Sequence, residues 1–477
     1  MEERKFRAPE ELLASVMNEG NMKQGKAMKA IFLSNKHLFI TGKAGSGKTT
    51  FLKRIMPFLG ITAVVAPTGI AALNAGGQTI HSFFGFDISP YAPVIKGNKL
   101  KNVADPARKD RYGLFKRLET LVIDEISMVR PDLLDRIADV LRQARKNNKE
   151  PFGGVRILMF GDLHQLPPVL KSDDVLLDYY DTKYFFSSKA LRASGFEVHE
   201  FDKVYRQSDP EFLNILNGVR TGDITDDDLI SLNSKVSTPK GDYMTICSTN
   251  KEAEGINLSR LALIPGRSYR SVAVKKGDAP KDAPCEELLE IKVGAQVVIT
   301  KNGVNYVNGT IGRVTSVEMS DNQSEMLSIS VCVGKDDKGI DIIAKLGKET
   351  WEKYKYASFP GHIETVVVGQ ISQFPVRLGY AITTHKSQGM TLDNVLVDMG
   401  RAFEGGQIYT ALSRVRTFDG LHLKNQIVKS KIFADEVLLG FLSQCSLNNG
   451  IFKAVPVCEL ETNCKKAAFL DFESYGL

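Results

Sequence analysis

The chain has no run of about 18 apolar residues, and its opening, Met1-Glu2-Glu3-Arg4-Lys5-Phe6-Arg7, carries no apolar h-region. Neither a membrane-spanning helix nor a secretory signal is expected, and the expected setting is cytoplasmic, of the bacterial intracellular kind. Cysteine is scarce: six in 477 residues, at 247, 285, 332, 445, 458 and 464, with spacings unlike paired CxxC ligands. That argues against a disulfide scaffold or a zinc site, and for reduced, structural thiols. Internal repeats and low-complexity segments are also missing. With 43% hydrophobic and 25% charged residues, the composition is that of a soluble globular protein of about three domains.

Charge is unevenly placed. The net charge is +6, yet residues 94–117 alone hold Lys96, Lys99, Lys101, Arg108, Lys109, Arg111, Lys116 and Arg117 against Asp105 and Asp110. This stretch reads either as a solvated basic loop or as a contact for a polyanion.

The most informative segment runs from Leu38 to Thr50, an apolar strand leading into Gly42-Lys43-Ala44-Gly45-Ser46-Gly47-Lys48-Thr49-Thr50. The pattern is G-x4-G-K-[ST]. Small residues let successive backbone N–H groups form an anion-binding nest, and a helix beginning at Lys48 adds its positive end. Lys48 reaches the β and γ oxygens of a nucleoside triphosphate, and Thr49 is a magnesium ligand. ATP and Mg2+ are thus the expected cofactors.

Beyond this loop the chain alternates apolar strand-like runs with helical stretches, which predicts an α/β fold with parallel sheets. Candidate strands are 37–41, 62–66, 118–124 and 156–162. A second series, from about Gly195, includes 243–248, 378–383 and 394–399. Two α/β halves with a cleft between them are expected. Two insertions interrupt them. The irregular Pro-, Gly- and Lys-rich stretch 84–112 is a candidate wedge, and roughly 305–371 reads as a small β module. The expected division is therefore 1–83 with 113–190, then 191–304 with 372–440, and a tail over 441–477 packing on the second half.

At the end of the third candidate strand, Leu121-Val122-Ile123-Asp124-Glu125 places two carboxylates beside the phosphate loop. Asp124 suits a magnesium ion held through water, and Glu125 can orient and deprotonate an attacking water. Water as acceptor favours a hydrolase over a kinase. Further on, Gly161-Asp162-Leu163-His164-Gln165-Leu166-Pro167-Pro168 follows another strand. Gln165 is a candidate sensor of the γ-phosphate, and the two prolines stiffen the backbone after it.

The ordered set GKAGSGKTT, VVAPTGIAALNAGGQTIHSFF, LVIDEISMV, GDLHQLPPV, VYRQSD, STN, AITTHKSQGMTLD and YTALSRVRT resembles the motifs of superfamily-one DNA helicases. It is most similar to the Pif-type (petite integration frequency) group, with RecD-like and phage Dda helicases as cousins. The resemblance covers about residues 21–425, and the stretch from Arg130 to Phe152-Gly153-Gly154 resembles the segment that sets the Pif type apart.

The resemblance implies two tandem RecA-like domains, with a wedge in the first and an SH3-like β-barrel in the second. Gln24 looks like the glutamine that reads adenine. Arg206 and Arg414 look like the two arginines that the second half contributes to the γ-phosphate, which with Lys48, Glu125 and Gln165 completes the expected catalytic set. Pro67, Thr68, Thr79, His81, Thr249, Asn250, Thr384, His385 and Lys386 resemble residues that hold single-stranded DNA. Contacts of that kind go to phosphate and sugar, positioning a strand without reading it. Phe83, Phe84 and Phe86 could stack on bases or lie in a core.

The implied activity is ATP-driven, 5′ to 3′ movement on single-stranded DNA by a monomer, with unwinding of duplex or forked DNA as in repair or recombination. ATP would close the cleft and hydrolysis would reopen it. An ATPase that grips DNA without unwinding shares the same motifs and stays open. An unrelated P-loop enzyme would have no use for the two arginines of the second half.

Overall fold

The computed structural model describes residues 21–86, 109–168, 179–280, 283–301, 303, 306, 309–335, 338–359, 362–400, 406–447 and 450–452. The chain divides into two compact units. The first comprises Met1–Val204, Lys355–Val366 and Asp435–Leu477, and the second Tyr205–Tyr354 and Val367–Ala434.

The first unit is built on strands β1 (Leu38–Gly42), β2 (Thr62–Ala66), β3 (Gln78–Thr79), β4 (Thr120–Ile123), β5 (Arg156–Phe160) and β6 (Phe196–Phe201). They lie in the order β6-β1-β5-β4-β2-β3, all parallel. Apolar side chains alternate between two cores. Phe39, Val65, Ile123 and Met159 enter one, whereas Leu38, Ile40, Val64, Val122, Leu158 and Phe160 enter the other. A strand sends successive side chains to opposite faces, so the sheet is covered on both sides, as a parallel sheet requires. The helices Met22–Leu33 and Lys48–Ile55 cover one face and the long helix Pro131–Arg145 the other.

The second unit has its own parallel sheet, formed by β7 (Met244–Cys247) with strands from much later in the chain. Between them come β8 (Ser268–Val272), β9 (Val274–Gly277), β10 (Leu288–Lys292), β11 (Gln296–Ile299), β12 (Ile311–Met319), β13 (Met326–Lys335), β14 (Asp341–Leu346), β15 (Glu349–Phe359), β16 (His362–Gln373) and β17 (Val376–Leu378). The parallel sheet resumes with β18 (Ala381–Thr383), β19 (Val395–Asp398) and β20 (Leu421–Leu423), in the order β18-β7-β19-β20. The largest of the intervening sheets is antiparallel, in the order β14-β13-β12-β11-β17. The two-sheet α/β architecture expected from the alternation is present, and the expected strands fall within a few residues of the observed ones.

Four expectations about boundaries need correction. Residues 191–204 belong to the first unit, because β6 pairs with β1 over five residues, from Leu38 opposite Glu197 to Gly42 opposite Phe201. The terminal helix Glu436–Leu447 also belongs there: Phe441 is buried and stacks on Phe186 with ring centroids 4.0 Å apart. Behind it the short strand Ile451–Phe452 pairs antiparallel with β6. The antiparallel β region starts at Ser268 rather than near 305. Finally, the run 378–383 is two strands in two sheets, split at Gly379, where a Cβ would sit 2.6 Å from the Val297 carbonyl carbon. Most of the expected wedge, residues 87–108, lies outside the described residues. So do residues 453–477 of the expected tail.

Candidate functional site

In the first unit, the site residues expected from the sequence leave the carboxyl ends of adjacent strands. This is the edge where open α/β sheets bind ligands. β1 ends in Gly42 and the loop turns through Gly42, Gly45 and Gly47, with φ of 150°, 76° and 82°. A side chain at Gly42 would meet the Phe201 carbonyl oxygen at 2.4 Å, so β1 and β6 could not pair there. Lys48 opens the helix Lys48–Ile55, and its Nζ donates to the carbonyls of Gly42 and Lys43 at 2.8 and 3.1 Å. The ammonium is thus held over the loop. Ser46 Oγ is buried with no hydrogen-bond partner among the described residues, as expected of a loop whose polar groups are arranged for an anion. Thr49 and Thr50 follow in the first helical turn.

Two strands along, β4 delivers Asp124 and Glu125. The Asp124 N–H donates to Val65 O at 2.9 Å, fixing it beside β2. Glu125 has left-handed backbone geometry (φ 52°, ψ 44°), an unusual state for a non-glycine residue. Its N–H donates to Asp124 Oδ1 at 3.0 Å. Strain of this kind is a recurrent property of functional sites. Burial first, then the neighbouring Glu125 charge, push the Asp124 carboxyl well above the usual carboxylate range, with Lys48 and Lys53 pulling the other way. A divalent cation beside it would favour the ionised form.

Between these strands, β5 carries the third group. Gly161 N–H donates to Ile40 O at 3.2 Å, and a Cβ on Gly161 would lie 3.2 Å from the backbone nitrogens of Ile126 and Ser127. The end of β5 therefore presses on the turn that follows Glu125. Asp162 is fully buried, Gln165 is 6% exposed, and the Gln165 Nε2 donates to Asp162 Oδ2 at 3.1 Å.

Gln24 is buried in the first turn of Met22–Leu33, whose Ala27, Met28 and Ile31 share a core with Phe51, Leu52 and Ile55 of the phosphate-loop helix. Arg156 anchors the far end of that first helix, donating to Ala30 O, Ile31 O and Lys36 O at 3.1, 2.5 and 2.9 Å.

Of the expected DNA contacts in this unit, Pro67 and Thr68 follow β2, and Thr68 Oγ1 caps the helix Gly69–Ala75 by accepting from Ala71 N. Thr79 Oγ1 likewise caps the helix Ile80–Phe84, which carries His81. Phe83, Phe84 and Phe86 are 2%, 0% and 7% exposed and lie against Phe115 and one another. They are core residues, which corrects the base-stacking alternative. Arg111, from the basic stretch, donates to the carbonyls of Ser82 and Phe83 and so closes the end of the same helix.

In the second unit, Thr249-Asn250 follow β7 and Thr384-His385-Lys386 follow β18, neighbours in register with Thr383 opposite Cys247. Asn250 and Lys386 are exposed. They line a cleft of about 480 Å3 with Asn257, Leu258, Leu288 and Arg377. Thr384 departs from expectation: it is 2% exposed and its hydroxyl lies 3.4 Å from Cys247 O, so it fixes the loop rather than reaching a surface strand.

The structure brings Arg206 and Arg414 onto one segment. Arg206 donates to Thr391 Oγ1 and Ser413 O, both at 3.0 Å, while the buried Arg414 donates to Thr410 O and Ser413 Oγ at 3.0 and 2.9 Å. Gln207 Nε2 donates to Ser413 O and Val415 O. Sequence reading passed over Thr391, Ser413 and Gln207, although two of them adjoin motif arginines and are donor or acceptor types. Among the described residues, no cluster of three or more His, Cys, Asp or Glu could hold a metal ion by itself.

Four similarities stand beside this geometry. Residues 20–228 match the family model described as PIF1-like helicase. The human ATP-dependent DNA helicase PIF1 is 33% identical over 428 residues, covering 86% of this chain and 62% of that protein, so the chain spans well under the full length of that relative. The Bdellovibrio bacteriovorus ATP-dependent DNA helicase Pif1 is 32% identical over 426 residues, covering 86% of this chain and 89% of its own. Bacteroides sp Pif1, solved in complex with ADP-AlF4, superposes with a TM-score of 0.81 at 36% identity, covering 91% of this chain and 98% of that one.

Proposed function

The chain belongs to the PIF1-like helicase family, and from that membership we propose that it is an ATP-dependent DNA helicase. It moves 5′ to 3′ along single-stranded DNA as a monomer and unwinds duplex or forked DNA. The observation that carries this reading is that Lys48, Asp124, Glu125 and Gln165 all lie in the segments that follow the carboxyl ends of the adjacent strands β1, β4 and β5.

In the proposed reaction Lys48 and the loop N–H groups bind the β and γ phosphates, and Gln24 contacts the adenine. The donor set suits magnesium, which takes one or two protein oxygens and otherwise water and phosphate; the buried Asp124 carboxyl, near enough to Lys48 to feel its charge, and the unpartnered Ser46 Oγ in the loop support that fit. Thr49 and Asp124 would hold the ion, which when bound neutralises phosphate charge. Glu125 orients and deprotonates the attacking water, and Gln165 senses the γ-phosphate. Arg206 and Arg414 stabilise charge on the transferring phosphoryl group, as planar, always-charged donors suit.

Asn250, His385 and Lys386, with Pro67, Thr68, Thr79, His81 and Thr249, contact the strand, mainly at phosphate. The exposure of Asn250 and Lys386 supports this for the second unit. The test is strand displacement on 5′-tailed and 3′-tailed duplexes, with ATP turnover measured alongside. Displacement of the 5′-tailed substrate supports the reading. DNA-stimulated turnover with no displacement from either substrate identifies an ATPase that grips without unwinding, and turnover indifferent to DNA overturns both.

A further inference from the structure

Resting on the assignment of Gln165 to the γ-phosphate, we infer that Asp162 is a positioning residue that fixes which end of the Gln165 amide faces the reaction. Both carboxylate oxygens of this fully buried residue are used. Oδ1 accepts from His164 N at 3.2 Å and Oδ2 accepts from Gln165 Nε2 at 3.1 Å, while Gln165 N donates to Asp162 O at 3.0 Å. With Oδ1 taken by His164 N and Oδ2 by Gln165 Nε2, the amide atom facing Asp162 is nitrogen. Oε1 is thereby held on the opposite side of the amide, and a flip would set Oε1 against a carboxylate oxygen in a buried place, where an unmatched acceptor is costly.

The surrounding turn leaves little slack. Pro167 and Pro168 fix φ two and three residues beyond Gln165, and Gly161, next to Asp162, packs against the turn behind Glu125. Asp162 thus ties the orientation of the sensor to the same segment that supports the water-orienting carboxylate.

The experiment uses the full chain with ATP, magnesium and single-stranded DNA, and compares Asp162→Asn, Gln165→Glu, the double substitution and Gln165→Ala. Asp162→Asn can set a nitrogen against Nε2 and permits the flip; kcat is expected to fall about tenfold with KM for ATP within about threefold. Binding of ADP with aluminium fluoride should weaken in parallel, and ADP alone should not. The double substitution restores the hydrogen bond with donor and acceptor exchanged. It is expected to recover the thermal midpoint lost by either single change while kcat stays low.

A lowered midpoint with kcat at the parent rate in Asp162→Asn would overturn the inference, because Asp162 would then serve only the fold of the turn. Should Asp162→Asn fail to fold, Asp162→Glu takes its place: kcat lowered with KM for ATP held supports positioning, and kcat at the parent rate overturns it. If Gln165→Ala hydrolyses ATP at the parent rate, the assignment of Gln165 itself fails, and that outcome is distinct from a failure of Asp162.

Discussion

Lys48 is half-buried and donates to Gly42 O and Lys43 O, so its charge is poised over the loop. Lys48→Ala should abolish ATP turnover with the thermal midpoint unchanged within about 3 °C, checked by ATPase assay and calorimetry. Glu125→Gln keeps the volume and removes the proposed base; kcat should fall at least about 100-fold while nucleotide binding, followed by equilibrium titration, persists. Arg206→Ala should spare ATP binding and lower hydrolysis by about a thousandfold, read as kcat against Kd. Hydrolysis at the parent rate in that variant would remove Arg206 from the reaction. Motif spacing named Lys48 and Glu125 because each must be one particular type, and the family resemblance named Arg206. It did not reveal Thr391, Ser413, Gln207 or the role of Asp162, whose importance lies in which neighbours the fold gives them.

At the scale of elements, the link between β1 and β5 carries a pH dependence. His37, just ahead of β1, accepts at Nδ1 from Ile157 N at 3.0 Å. Burial, and secondarily the Arg156 guanidinium, push its imidazole down to about 4. A lowered folded-state pKa means that the unfolded chain binds the proton more readily, so stability is intact above the ordinary value near 6.5 and is lost as pH falls toward 4. The loss should reach about 2–3 kcal/mol. Urea unfolding of the parent and His37→Asn between pH 7.5 and 4.5 would show it, the variant having the flatter acid limb. The strands themselves were legible from apolar runs bounded by Gly, Asp and Asn. The break at Gly379 was not, because one continuous run of sequence serves two sheets.

At the scale of the whole molecule, the helix Glu436–Leu447 returns to the first unit after the second has been completed. Phe441→Ala removes a fully buried ring that stacks on Phe186. It should cost about 3–5 kcal/mol. Limited proteolysis should show the new cleavages in the first unit, and cleavages confined to 205–354 would contradict that assignment. The expected DNA contacts are mostly phosphate-directed, so single-strand affinity should fall steeply and log-linearly with salt, by about tenfold or more between 50 and 200 mM. Fluorescence anisotropy with homopolymer and mixed-sequence strands should give the same slope for both.

The sequence by itself determined the phosphate loop, the Asp124-Glu125 pair, the α/β class and the family, because a triphosphate site needs small residues, one lysine and paired carboxylates at fixed local spacing. Only the tertiary structure decided that residues 191–204 and 436–452 complete the first sheet and its core, that Phe83, Phe84 and Phe86 are interior, and that Asp162 grips Gln165. Those outcomes depend on which distant strands pair and what burial leaves within hydrogen-bonding reach, and neither is written in local spacing.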